Sequence, residues 1–126
     1  MRAIDTNVLL RLIERDDAEQ SRQADLCVTQ GAWVSYLVLA EALWVLTSTY
    51  KHRRTQIAQA IEMLLKHQSV VLQDADVVAA ALAAFKANGK IEFSDCLILE
   101  IARKAGHAPM MTLDRDFGKL NGVERI

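Results

Sequence analysis

The order of apolar and polar positions along the chain predicts helices that alternate with short strands. In the segment 55–67, apolar residues recur every three or four positions, which is typical of an amphipathic helix. The run Val70-Val71-Leu72 is typical of a buried strand. The predicted strands are 2–5, 32–35, 70–72 and 110–113, with a last one near 124–125, and the predicted helices are 7–14, 17–30, 37–50, 55–67, 74–88 and 94–106.

This alternation predicts an α/β fold in which helices cover both faces of a mostly parallel sheet. A chain of 126 residues is long enough for one core, so we expect a single domain over residues 1–126. Ligands of such folds gather at the carboxyl ends of the parallel strands. Residues at those ends are therefore the first candidates for function.

Composition narrows the function classes. With 52% hydrophobic and 25% charged residues the chain is an ordinary globular protein, and no apolar run is long enough to span a membrane. A net charge of −1 excludes bulk positive charge as the sole means of holding nucleic acid, but it leaves a nucleic-acid enzyme open. The two cysteines lack metal-ligand spacing and suit a reducing cytoplasm, where we expect the protein to act.

Four carboxylates lie in apolar stretches of the sequence: Asp5, Glu41, Asp95 and Asp114. Asp5 and Asp114 end predicted strands, whereas Glu41 and Asp95 lie in the first turns of predicted helices, so the topology allows all four to meet at one edge. A carboxylate in apolar surroundings takes up a proton or binds a cation. Because Mg²⁺ and Mn²⁺ prefer carboxylate oxygens, the sequence predicts one divalent-metal site.

Each aspartate of this set has an alternative role as a helix cap or turn former. Glu41 has no such alternative, because Trp44 and Val45 stand where a basic partner would lie on the same helix. We therefore expect a buried Glu41 without a local partner, and this expectation favours the metal site over capping. The three histidines are scattered along polar segments and do not support a zinc site.

Four short motifs resemble those of the PIN-domain nucleases: Asp5-Thr6-Asn7, a lone Glu41 on an apolar helix, Ser94-Asp95 opening a later helix, and Thr112-Leu113-Asp114-Arg115-Asp116-Phe117. The resemblance covers nearly the whole chain and is nearest to the VapC ribonuclease toxins of bacterial toxin–antitoxin pairs. It implies a three-layer α/β/α PIN-like fold around a central, mostly parallel sheet. It also implies an endoribonuclease that requires Mg²⁺ or Mn²⁺, forms a homodimer and is silenced by a partner antitoxin.

The resemblance also assigns residues. Asp5 and Asp95 would be the principal metal ligands, and Glu41 and Asp114 would complete the acidic site. Polar support would come from Asn7 and Thr112, and Asp116 is an alternative to Asp114.

Four arginines are candidate contacts to RNA or to an antitoxin: Arg11, Arg15, Arg53 and Arg54. For the first two, an ion pair with Glu14 or Glu19 is an equal alternative, and for the second two the alternative is a solvated connector between helices. A groove for a dimer partner or an antitoxin could be lined by Trp33, Trp44 and Tyr50. For Trp44 we expect a place in the core instead, since its helix is apolar nearly all round.

Two other functions stay open. A non-catalytic PIN-fold module that binds RNA or protein would keep the fold without cleavage. An aspartate-based phosphotransfer domain would also place Asp5 after a first strand, but the late strand 110–114 has no lysine, and Asn7 stands where phosphatases carry a second aspartate.

Overall fold

The computed structural model describes residues 1–126, which divide into an N-terminal unit, Met1–Gln73, and a C-terminal unit, Asp74–Ile126. No helix is both long and apolar enough to cross a membrane. The expectation of one domain over residues 1–126 stays a prediction.

The N-terminal unit contains a three-stranded sheet in the order β1-β2-β3, and both strand pairs are parallel. Its strands are β1 (Arg2–Ala3), β2 (Ala32–Val34) and β3 (Val70–Leu72), and its helices are α1 (Thr6–Ile13), α2 (Ala18–Val28), α3 (Tyr36–Ser48) and α4 (Arg54–Lys66). In β2, Ala32 and Val34 are buried and Trp33 between them is exposed, as the two-residue period of a strand dictates. The sheet therefore buries one face against the unit's core.

Side-chain caps set where the first three helices begin. Asp5, Asp17 and Ser35 have extended backbones and accept a hydrogen bond from the N–H three residues on. Each cap satisfies one of the backbone donors that a helix N-terminus leaves free. The helix starts follow from these short polar side chains, which are visible in the sequence.

The C-terminal unit consists of two packed helices followed by a small sheet. Its elements are α5 (Ala75–Ala87), α6 (Phe93–Ala105), β4 (Met110–Thr112), a 3₁₀ turn (Phe117–Lys119) and β5 (Val123–Arg125), with β4 and β5 paired in parallel. Helix α6 begins at Phe93 after the N-cap residue Glu92, so the prediction that Ser94 caps it is wrong and Ser94 lies in its first turn. The helix ends at Ala105, and the predicted stop Gly106 is its C-cap, with a φ of +84° that suits a residue without Cβ.

Every strand pair of the structure is parallel, and helices separate consecutive strands except between β4 and β5. The predicted α/β class with parallel pairing is therefore confirmed. The order of elements places Asp5 and Asp114 just beyond strands and Asp95 in the first turn of α6, as the sequence predicts. Glu41 is the sixth residue of α3, so the expectation that it lies in the first turn of its helix is wrong.

Candidate metal centre

Asp5 is the N-cap of α1. Its Oδ1 accepts a hydrogen bond from the Val8 N–H at 3.1 Å, and the residue is exposed. The capping alternative drawn from the sequence is thus confirmed. A cap of this kind occupies one carboxylate oxygen and leaves Oδ2 open to a further ligand.

Glu41 lies on the exposed side of α3, so the expectation that it is buried is wrong. Its Oε2 accepts a hydrogen bond from the Thr6 hydroxyl at 3.1 Å, across 35 residues of sequence. Because Thr6 directly follows Asp5, this bond joins the start of α1 to Glu41. Within the N-terminal unit, Thr6 is therefore the sequence neighbour of Asp5 and the hydrogen-bond partner of Glu41.

Asp95 is half-buried in the first turn of α6. Partial burial raises the pKa of its carboxyl group, and the negative charges of Asp114 and Glu92 raise that pKa further. The C-terminal unit therefore brings Asp95 and Asp114 close enough for their charges to repel each other.

The loop after β4 holds Asp114 in place through two hydrogen bonds. The Phe117 N–H donates to Asp114 Oδ2 at 2.6 Å, and the Asp114 N–H donates to Thr112 Oγ1 at 3.0 Å. Thr112 thus supports Asp114 through the backbone. One oxygen of this exposed carboxylate, Oδ1, stays open to a ligand.

Asp116 has different neighbours from Asp114. Its Oδ1 lies 3.9 Å from Lys119 Nζ and 4.0 Å from Arg115 Nε, so two cations already offset its charge. The pKa of Asp95 is raised by Asp114 and not by Asp116. Of the two alternatives, Asp114 is therefore the better candidate for the site.

These donors fit a hard divalent cation. All four acids offer carboxylate oxygens, and a cation would relieve the repulsion that acts on Asp95. Within neither unit do three or more His, Cys, Asp or Glu side chains form a group that could hold a metal ion. The structure joins Glu41 to Thr6, the neighbour of Asp5, and brings the charge of Asp114 to bear on Asp95, and the meeting of all four acids stays a prediction.

Asn7 is exposed and makes no hydrogen bond to any of the four acids. It lines an open groove of about 670 Å³ between α1 and α2, together with Val8, Arg11, Gln20, Gln23, Ala24 and Cys27. Its predicted role in supporting the acids stays a prediction.

Two of the candidate arginines are engaged within the N-terminal unit. Arg11 donates to Asp16 Oδ1 and to the Tyr50 hydroxyl, both at 2.7 Å. Arg15 donates from its two terminal guanidinium nitrogens to the two carboxylate oxygens of Asp25, at 3.1 and 2.6 Å. Both arginines therefore form ion pairs within the N-terminal unit, but with other carboxylates than the expected Glu14 or Glu19.

The expectation that Glu14 or Glu19 is the partner of these arginines is wrong. Glu14 binds His52, and Glu19 binds Arg22 on its own helix. Asp16 lies in the connection before α2, and Asp25 lies on α2, which packs against α1. Which carboxylate meets each arginine therefore depends on how this connection folds and how the two helices pack, which the sequence spacing does not reveal.

The basic run after α3 differs from these arginines. Arg53 is exposed, and its backbone N–H donates to Gln56 Oε1 at 2.8 Å, while Arg54 is the half-buried first residue of α4. The exposed Arg53 side chain can still reach a phosphate. A contact of Arg53 or Arg54 with RNA or an antitoxin stays a prediction.

Trp44 is 69% exposed, so the expectation that it lies in the core is wrong. Helix α3 is apolar nearly all round, but its buried side consists of Leu39, Ala42, Leu43 and Leu46. Trp44 lies on the other side with Glu41. Periodicity cannot separate the two sides of such a helix, because both are apolar.

A sequence-family model described as the PIN domain matches residues 3–123. Among solved structures, the crystal structure of VapC20 from Mycobacterium tuberculosis, described as a toxin that cleaves the sarcin–ricin loop, is 20% identical and covers 98% of each chain, with a TM-score of 0.44. At this identity and TM-score the structural likeness supports no assignment of function. No curated protein sequence matches the chain.

Proposed function

Because the chain belongs to the PIN domain family, we propose that it is a Mg²⁺- or Mn²⁺-dependent endoribonuclease of the VapC toxin type. One observation carries this proposal. The half-buried Asp95 has a raised pKa because Asp114 and Glu92 crowd it with negative charge. Acidic groups held close together at a loss of stability are typical of metal-dependent and catalytic sites.

The proposed ligands are Asp5, Glu41, Asp95 and Asp114. Support for Asp95 and Asp114 comes from the mutual repulsion of their charges. Support for Asp5 and Glu41 comes from the hydrogen bond between Glu41 and Thr6, the residue that follows Asp5, and from the motifs of the sequence. Asp5 and Asp95 are proposed as the principal ligands, in line with the resemblance described above.

A bound divalent ion would polarise the scissile phosphate and lower the pKa of the attacking water. The chain's own residues hold the acids in place for this task. Thr6 orients the Glu41 carboxylate, the Val8 N–H orients that of Asp5, and the Phe117 N–H orients that of Asp114. A carboxylate held by a backbone donor keeps one oxygen in a fixed direction, which is the preorganisation that a ligand needs.

The proposed reaction is hydrolysis of an RNA phosphodiester. The water oxygen forms a bond to phosphorus while the bond from phosphorus to the 3′ oxygen breaks. The released 3′ oxygen takes up a proton, so one product carries a 3′-hydroxyl group and the other a 5′-phosphate. Product ends of this kind can be identified by whether an RNA ligase joins them.

The test is cleavage of a random-sequence pool of single-stranded RNA, labelled at the 5′ end, in the presence of Mn²⁺ or of EDTA. We expect the wild type to cut only with Mn²⁺, and Asp5→Asn and Asp95→Asn to lose at least about 100-fold in rate, as loss of an essential charged group typically does. Asp17→Asn is the matched control, because Asp17 is also a helix cap and asparagine keeps the cap. Equal cleavage by the wild type and Asp95→Asn would overturn the site assignment.

Calorimetry separates this proposal from a binding module. A nuclease of this type should bind Mn²⁺ through its acids, with heat that disappears in Asp95→Asn. Folded wild type that binds RNA but neither binds Mn²⁺ nor cleaves would instead be a non-catalytic RNA-binding module.

We further propose that the protein is the toxin of a toxin–antitoxin pair, that it acts as a homodimer in the cytoplasm, and that a cognate antitoxin protein silences it. The motif resemblance supports these partners, and both cysteines are free thiols, as a reducing compartment would leave them. The test is expression in bacteria with and without any small reading frame that lies just upstream of its gene. Growth arrest that the neighbouring frame relieves, and that Asp95→Asn abolishes, is the expected result, and normal growth of cells expressing the wild type alone would contradict the toxin role.

A further inference from the structure

Helix α3 presents an indole ring to solvent next to a proposed metal ligand. Trp44 is 69% exposed, although large aromatic side chains are highly buried on average. It lies three residues after Glu41 on the same helix, a spacing at which Cβ atoms are about 5–6 Å apart. Because the Thr6 hydroxyl binds the Glu41 carboxylate, this acid has a fixed position beside the ring.

We propose that Trp44 is a stacking platform for one base of single-stranded RNA, which places the adjoining phosphodiester at Glu41. The inference rests on the proposed RNA substrate. Unpaired bases stack on exposed aromatic rings in many RNA-binding proteins, and every base offers a face for such a contact. Trp44 is thus a positioning residue for the substrate and takes no part in the chemical step.

The net charge of the protein favours an RNA contact that does not depend on charge. The chain carries a net charge of −1, so unspecific attraction between the protein and RNA phosphates contributes little to binding. Stacking does not depend on charge and acts even where Glu41 would repel a phosphate. It therefore adds affinity at the place where electrostatics alone is unfavourable.

The position of Glu41 beside Trp44 also restricts which molecule can stack on the indole ring. A second copy of the chain seated on Trp44 would cover Glu41 one helical turn away and would block the proposed site. A single base stacked on the ring leaves the carboxylate accessible. A base is therefore the occupant compatible with activity, whereas a protein seated on the ring, either a second copy or the proposed antitoxin, would block the site and is an outcome of the test.

The test measures binding without cleavage. A fluorescein-labelled, single-stranded RNA oligomer is titrated with the protein in EDTA, and fluorescence anisotropy gives Kd. We expect Trp44→Ala to raise Kd about tenfold, within the range found for loss of one base–aromatic stack, and Trp44→Phe to stay within about threefold of the wild type. Leu37→Ala is the matched control, since Leu37 is a 76% exposed apolar residue on the same helix and should leave Kd unchanged.

A second arm uses a fully paired RNA duplex of the same sequence. Stacked bases within a duplex are not available to the ring, so Trp44→Ala should not weaken duplex binding. In single-turnover cleavage with Mn²⁺, the substitution should raise the half-saturating protein concentration and leave the maximal rate unchanged.

The outcomes are distinct from those for the proposed function. Wild type that cleaves RNA while Trp44→Ala binds it equally well overturns the stacking proposal and leaves the nuclease intact. Wild type that binds RNA through Trp44 without cleaving it supports stacking and overturns the nuclease. If Trp44→Ala differs from the wild type in oligomeric state on size-exclusion chromatography but has the same Kd for RNA, Trp44 contacts protein, and the proposal is overturned.

Discussion

The Thr6 hydroxyl donates a hydrogen bond to Glu41 Oε2 at 3.1 Å, which joins the first residue of α1 to the middle of α3. Both residues belong to the N-terminal unit, and Thr6 directly follows Asp5. The bond therefore ties Glu41 to the residue next to Asp5. The threonine of the motif Asp5-Thr6-Asn7 thus has a hydrogen-bond partner 35 residues away in the sequence.

Removing this hydroxyl should lower activity more than stability. We expect Thr6→Val to reduce the cleavage rate about tenfold, because Glu41 loses the donor that fixes its carboxylate, and to lower the free energy of unfolding by only ~0.5–1 kcal/mol. Single-turnover cleavage and a urea titration measure the two effects. Thr47→Val is the matched control, since Thr47 donates to the Leu43 carbonyl on the same helix and has no contact with Glu41.

Local signals in the sequence are sufficient to locate most of the elements. Caps such as Asp17 and Ser35, the glycine that ends α6 and the β-branched strand Val70–Leu72 act over a few residues, so a single sequence contains the whole cause. Asp5 belongs to the same class, because its capping bond reaches only to Val8.

Tertiary contacts could not be predicted in the same way. The partner of Arg15 is Asp25 on the next helix, and the partner of Glu41 is Thr6. The exposure of Trp44 depends on which side of an almost wholly apolar helix packs inward, and hydrophobic periodicity does not determine that choice. These are the points at which the sequence-based expectations were wrong.

Neutralising Asp95 should stabilise the protein when no metal is present. Because burial and the charges of Asp114 and Glu92 raise the pKa of Asp95, the folded protein keeps this proton to a higher pH than the unfolded chain does. The free energy of unfolding therefore falls as pH rises from the ordinary pKa of an aspartate through the raised one. In EDTA near pH 7, Asp95→Asn should raise Tm by about 2 °C, or ~0.5 kcal/mol for a partly solvated group.

The pH dependence checks the cause of this gain. Below the ordinary pKa of aspartate, the carboxyl group is protonated in both states, and the two proteins should melt alike. Glu92→Gln should give a smaller gain, because Glu92 contributes less than burial or Asp114 to the shift. A lower Tm for Asp95→Asn at pH 7 would contradict the repulsion.

Divalent metal should make the wild type more stable than Asp95→Asn, which is the reverse of the order expected in EDTA. Binding to the folded state stabilises it by about 1.4 kcal/mol at ten times the Kd for the ion. We expect Mn²⁺ to raise the Tm of the wild type and to leave that of Asp95→Asn nearly unchanged. Ca²⁺-free buffers with graded Mn²⁺ and differential scanning fluorimetry are sufficient, and an equal increase in both proteins would show that Asp95 does not bind the ion.

The two roles of Asp5 can be separated by two substitutions. Asparagine can still accept the Val8 N–H through its side-chain oxygen, so Asp5→Asn should fold like the wild type and lose cleavage. Alanine removes the cap as well, so Asp5→Ala should also lose ~1 kcal/mol in the free energy of unfolding. Circular dichroism melts give the stability difference, and cleavage by either variant at the wild-type rate would remove Asp5 from the site.

Asp114 and Asp116 should differ in the same assay. Asp114 affects the pKa of Asp95 and is fixed by the Phe117 N–H, whereas Asp116 lies at 3.9 and 4.0 Å from two cationic side chains. We expect Asp114→Asn to lose cleavage while keeping its fold, since asparagine can still accept the Phe117 N–H. Asp116→Asn should keep cleavage within about twofold and stability within ~0.5 kcal/mol, because surface ion pairs of this length contribute little. If instead Asp116→Asn abolished cleavage and Asp114→Asn did not, the loop after β4 would present the second acid to the substrate, and the charge acting on Asp95 would have only a structural consequence.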